Sequence, residues 1–149
     1  MLDENVPPFD ILLMEDDPAD ANLIRTAIRE CKVDCNLHHV PDGVEALAFL
    51  RQEGDPYRDM PQPDLILLDL NLPRMNGREF LAAVKADERF SGIPVVVLTT
   101  SEVERDVALV YKLGASGFIT KPVDMAQFVE AMRKLLTYWL RLARLPKKG

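Results

Sequence analysis

The stretch "DLILLDLNLPRMNG", residues 64–77, decides the fold. Leu65 to Leu68 are four consecutive aliphatic residues with no polar alternation, the pattern of a strand covered on both faces and therefore of a parallel sheet layered by helices. Asp69 follows at once, and the chain then passes through Leu70, Asn71 and Leu72 to Pro73. A carboxylate at the end of a buried strand is costly unless something compensates it. What Asp69 does there is the question the other segments have to answer.

Working outward, further strand-length apolar runs appear at "FDILLM" (9–14) and "IPVVVLTT" (93–100), with weaker ones at "NLHHV" (36–40) and "GFIT" (117–120). Helical patterns lie between them. Asp17-Pro18 offers an N-cap with proline at the first helical position, followed by Leu23, Ile24, Ala27, Ile28 and Cys31 on one face. A second helix is expected over Gly43 to Arg51, carrying Val44, Leu47, Ala48 and Leu50. A third follows Asn76 with Phe80, Leu81 and Val84, a fourth spans about Val103 to Leu113, and the last starts near Asp124 with Phe128, Val129, Met132, Leu135, Leu136, Trp139 and Leu140. Five strand-helix alternations predict an α/β fold, a doubly wound five-stranded parallel (βα)5 sheet. "GDPYRDMPQP" (54–63) reads as a surface loop.

The 149 residues suit one domain with a real core. No apolar run approaches the roughly 18 residues of a membrane span, and "MLDENVPPFD" is acidic where a signal peptide is basic, so a cytoplasmic protein is expected. Cys31 and Cys35 are too few for a disulfide framework and lack the second pair a zinc site needs; they read as ordinary thiols. A net charge of -6 argues against nucleic-acid binding, which rewards excess cations. Past Glu130 every charged residue is basic, from Arg133 and Lys134 to Lys147 and Lys148. That suits either a solvated helix end or a surface for an acidic partner.

Sheets of this type bind ligands at the carboxyl ends of their strands, near the point where strand order reverses. The residues at those ends are Glu15, Asp16 and Asp17 after the first strand, Asp69 after the third, Thr99 and Thr100 after the fourth, and Lys121 after the fifth. Asp17 is accounted for as a helix cap. Glu15, Asp16 and Asp69 together would repel one another unless a cation neutralised them, and an all-oxygen set of this kind suits Mg2+.

In this order and at these separations "ILLMEDD", "LILLDLNLPRMNG", "VVVLTT" and "GASGFITKP" resemble the receiver domain of two-component response regulators, over residues 9 to about 137. The resemblance implies the flavodoxin-like receiver fold, and it implies that Asp69 accepts a phosphoryl group from a histidine kinase. It implies that Asp16 holds Mg2+ directly and Glu15 through water, with the backbone carbonyl of Asn71 completing the metal site. Thr99 would bond one phosphoryl oxygen and Lys121 another, the Lys121-Pro122 peptide being cis in the family, and Phe118 would turn inward as Thr99 is drawn to the phosphate. The alternative for Phe118 is plain core. The domain plan this gives is an extension over 1–8, a receiver over 9–137, and a C-terminal prolongation of the last helix with a basic tail over 138–149. No output domain is expected.

A last helix running to about Leu145 would be roughly 33 Å long beside strands of about 17–20 Å. Its overhanging turns carry Tyr138, Trp139, Leu142 and Leu145, which favour a homodimer through that helix. "DGVEALAFLRQEG", "LPRMNGREFL" and "YWLRLARLP" resemble, more narrowly, the small single-domain response regulators associated with bacterial phytochromes, so the implied kinase is a bacteriophytochrome. His38 and His39 are neighbours in a strand, face opposite ways, and read as ordinary strand histidines. Two other functions compete: a degenerate receiver serving as a dimeric scaffold, and an Mg2+-dependent phosphatase. The latter usually carries its aspartyl nucleophile on the first strand as D-x-D, whereas this chain has "EDDPAD" there.

Overall fold

The structure, a computed structural model, describes residues 8–30, 34–69, 77–99, 111–120 and 125–138, with the side chains of Thr99, Phe118, Thr120 and Met125 outside the description. Five strands, β1 (Phe9–Met14), β2 (Cys35–Val40), β3 (Leu65–Asp69), β4 (Val95–Thr99) and β5 (Gly117–Thr120), form one sheet in the order β2-β1-β3-β4-β5. Every neighbouring pair is parallel. The helices are α1 (Pro18–Glu30), α2 (Gly43–Arg51), α3 (Gly77–Ala86) and α4 (Met125–Thr137). The fourth helix expected over 103–113 falls outside the described residues except at its end, where Tyr111 and Lys112 are helical.

The unalternated aliphatic runs do what their pattern demands. Ile11, Leu13, Leu65, Leu67, Val96 and Leu98 point into a core shared with α1 and α4, while Leu12, Met14, Ile66, Leu68, Val95 and Val97 point into a second core beneath α2 and α3. Each of these strand residues is fully or almost fully buried. Burying one such side chain contributes about 1.5–3 kcal/mol, so the three central strands are the hardest part of the sheet to displace. β1 lies between β2 and β3, which makes the gap between β1 and β3 the point where strand order reverses.

Local chemistry sets the helix starts. Asp17 caps α1, its Oδ1 accepting from Ala19 N at 2.8 Å and its carbonyl from Ala21 N at 2.9 Å. Asp42 caps α2, accepting from Glu45 N at 2.9 Å, and is itself 3% exposed. In α2 the buried face is Ala46, Leu47, Phe49 and Leu50, whereas Val44 is 42% exposed, which corrects the expectation for Val44. In α1 the innermost residues are Ala21, Ile24, Ala27 and Ile28, with Leu23 only partly buried; Cys31 lies outside the described residues. Phe80, Leu81 and Val84 of α3 and Phe128, Met132, Leu135 and Leu136 of α4 are buried as the spacing predicts.

Residues 54–63 are more than a surface loop. Asp55–Tyr57 form a turn of 3-10 helix, and Gln52 and Gln62 tie the segment to α2 by donating to Met60 O (2.6 Å) and Leu50 O (2.8 Å). Tyr57 and Met60 pack on the α2 core. Gly114, before β5, has φ +105, and a Cβ there would lie 2.8 Å from Lys85 Cγ. Lys85 itself spans to the loop before β4, donating to Ser91 O and Ile93 O, and burial pushes its ammonium pKa down.

Candidate functional site

β1 and β3 end side by side at the switch point, with Leu13 and Met14 paired to Leu67 and Leu68. The residues just past those pairs, Glu15 and Asp16 on one side and Asp69 on the other, are therefore delivered to one place by the buried strands. Each offers a carboxylate oxygen, and the three oxygens lie within 4.8 Å of one another. Their exposure is graded: Glu15 is 1% exposed, Asp69 is half-buried and Asp16 is open to solvent.

The cluster fits a hard divalent cation. Three carboxylate oxygens at that separation can face one ion while leaving its remaining positions to water, the habit of Mg2+. The set offers no thiolate or imidazole ligand, which disfavours Zn2+. The same three acids, without a counter-charge, would repel one another.

Glu15 is held by the chain at more than one atom. Its N–H donates to Val40 O at 3.1 Å, prolonging the β1–β2 ladder, and its Oε1 accepts from Asp17 N at 3.3 Å. Its carbonyl receives His39 Nε2 at 2.6 Å. His38, one residue earlier, turns to the other face and meets Asp10 Oδ1 at 3.1 Å. The two histidines do part company as a strand requires, but His39 touches the site, which the sequence reading missed. The strand period places His39 on a face; it says nothing of whose carbonyl the ring reaches.

Thr99 is the last residue of β4. Asp69 pairs with Leu98 and Thr99 with Thr120, so the Thr99 backbone sits at the same edge of the sheet as the acids. Lys121 follows Thr120 in the chain but lies outside the described residues, as do Asn71, the Lys121-Pro122 peptide, Trp139, Leu142 and Leu145. The side chains of Thr99 and Phe118 are likewise outside the description; the Phe118 backbone belongs to β5. Tyr138, just past α4, is 54% exposed. Cys35 is not in a disulfide.

A doubly wound sheet in the order 2-1-3-4-5, with three acids converging at its switch point, defines a class of phosphate- and metal-handling α/β domains. The family model described as "Response regulator receiver domain" matches residues 11–133. The chain belongs to that family. It is 42% identical over 146 residues to the response regulator Rcp1 of Synechocystis sp. (strain ATCC 27184 / PCC 6803 / Kazusa), covering 98% of this chain and 99% of that one. The crystal structure of the phosphorylated cyanobacterial phytochrome response regulator RcpA superposes with a TM-score of 0.88 at 44% identity, covering 94% of this chain and 99% of the other. The Mn2+-bound form of Rcp1 gives 0.87 at 41% identity, covering 94% and 100%. Among the described residues no helix is long and apolar enough to cross a membrane.

Proposed function

We propose that Asp69 is the phosphoryl acceptor of this receiver and that Glu15 and Asp16 hold Mg2+ beside it. The observation that carries the reading is the convergence of the three carboxylates at the ends of β1 and β3. A carboxylate oxygen of Asp69 attacks phosphorus, the bond from phosphorus to the kinase histidine breaks, and the phosphoryl group ends as an acyl phosphate on Asp69. Two anions must approach for that to happen, so the barrier is mainly electrostatic and positional. Bound Mg2+ supplies the charge neutralisation that lets them meet. Asp16, the exposed member, would hold the ion directly, with buried Glu15 acting through water and the Asn71 carbonyl completing the set. The Thr99 hydroxyl and the Lys121 ammonium take the phosphoryl oxygens.

The transferred group adds between one and two negative charges, and the position of Thr99 at the end of β4 is what would convey that charge to Phe118 on β5. Catalysis is confined to the chain's own phosphorylation and dephosphorylation. The donor is a sensor histidine kinase, and similarity to phytochrome response regulators over almost the whole chain supports a bacteriophytochrome in that role. We take residues 9–137 as the receiver. The exposed Tyr138, with Trp139, Leu142 and Leu145 beyond it, supports a homodimer through the end of the last helix.

The test is intact-mass measurement after incubation with a small phosphodonor and Mg2+, with beryllofluoride as a stable mimic. The wild type should gain one phosphoryl group and Asp69→Asn none. Equal uptake by the two would sink the assignment.

A further inference from the structure

We infer that His39 is a positioning residue for the metal site, acting through the main chain of Glu15. The inference rests on the metal-site reading above and adds a residue to it that lies on a different strand from all three carboxylates.

The geometry is specific. A carbonyl oxygen can only accept, so at 2.6 Å the Nε2 of His39 must carry the proton. The contact is short for an N–H···O bond. It joins β2, the edge strand, to the one metal-site acid that is buried. Three bonds among those that fix Glu15 are its N–H to Val40 O, its carbonyl to His39, and its Oε1 to Asp17 N. Two of the three come from the last residues of β2, His39 and Val40. Glu15 stands one residue beyond the end of β1, where the ladder of main-chain bonds is running out. The Glu15 carbonyl belongs to the peptide plane that leads into Asp16, and a rotation of that plane would displace Asp16 and the Asp17 N–H that Glu15 Oε1 accepts. Holding the carbonyl is therefore a way of aiming the Asp16 and Glu15 carboxylates.

The mechanism requires a donor at that point and nothing more of the imidazole. The amide of glutamine presents an N–H at nearly the reach of an imidazole Nε2, while alanine presents none. His38 is the matched control: the same residue type on the same strand, on the opposite face, bonded to Asp10 at the other edge of the sheet.

The experiment measures Mg2+ binding to the full chain by titration calorimetry, together with metal-free melting temperature, for wild type, His39→Ala, His39→Gln and His38→Ala. His39→Ala should weaken Mg2+ binding by about tenfold, the low end of the effect of removing a group that orients a metal ligand. His39→Gln should restore most of that affinity, and His38→Ala should lower the melting temperature without changing it. The inference is overturned if His39→Ala binds Mg2+ like the wild type, if glutamine does not rescue, or if His38→Ala weakens binding equally. A wild type that binds no Mg2+ would overturn the metal-site reading itself, an outcome distinct from these.

Discussion

The two edges of the sheet both carry buried acids, and they use them in opposite ways. At the amino edge, Asp10 is 6% exposed and its Oδ1 accepts from Asn36 Nδ2 at 3.3 Å and meets His38 Nε2 at 3.1 Å. Asp64 there accepts from Asp10 N at 2.9 Å, and Asp64 N donates back to Asp10 O at 2.7 Å. Those carboxylates are bound to the protein's own donors and clasp β1, β2 and the start of β3 together. At the carboxyl edge, Glu15 also accepts from Asp17 N, yet one oxygen from each of Glu15, Asp16 and Asp69 lies within 4.8 Å of the others. Acids that meet donors stabilise the fold; acids that meet acids need a cation and so mark a site.

That contrast can be broken most severely at Asp16. Removing one member of a like-charged cluster removes repulsion, so Asp16→Ala should raise the metal-free melting temperature while weakening Mg2+ binding by at least about tenfold. Calorimetric titration and a thermal scan on one sample would show the opposite signs. Loss of both stability and affinity would mean that Asp16 is part of the scaffold.

The amino edge should answer the other way. Asp10→Ala strips the buried acceptor from His38, which is partly buried, and from Asn36, which is exposed, and losing two hydrogen bonds of about 0.5–1.5 kcal/mol net each costs about 1–3 kcal/mol. Urea unfolding should register that loss, with Mg2+ affinity unchanged. A fall in affinity comparable to that of Asp16→Ala would erase the distinction between the two edges.

How much of this was readable in advance depends on the kind of signal. β3 was plain because Leu65 to Leu68 admit few other readings, and Asp69 was plain because it stands where that burial ends. The acids of the site were legible for the same reason: strand ends can be located from the sequence, and parallel order brings them together. Val44 was misplaced because α2 is nine residues long and apolar nearly all round, so its phase is poorly marked. Phe49, passed over, turns out to face His38 and Tyr57, with ring centroids 5.2 and 5.7 Å away. Residues 54–63 looked like solvent-facing loop because glutamine amides reaching back to carbonyls of a neighbouring turn leave no periodic trace. His39 belongs with these, since its role lies in one hydrogen bond between strands.

The smallest effect tests whether the contrast extends to partly exposed acids, at Tyr57. Its hydroxyl donates to Glu45 Oε2 at 2.6 Å, another carboxylate whose oxygen is occupied by a protein donor. Burial first, then the hydrogen bond to Glu45 and the charges of Glu45 and Asp42, push the phenol from 10.0 up to about 12. The folded chain thus holds this proton more tightly than the unfolded one, so the contribution is complete below about pH 10 and is lost as pH rises toward 12. Tyr57→Phe should cost about 1 kcal/mol at neutral pH, the net worth of one hydrogen bond. Because phenylalanine cannot titrate, the gap between variant and wild type should narrow as urea unfolding is repeated from pH 9 to about pH 11, within the window set by the raised phenol. A gap that stays constant would show that folding does not raise the phenol, and no gap at neutral pH would show that the Glu45 contact contributes nothing to folding and that only acids buried as deeply as Asp10 are held by their donors.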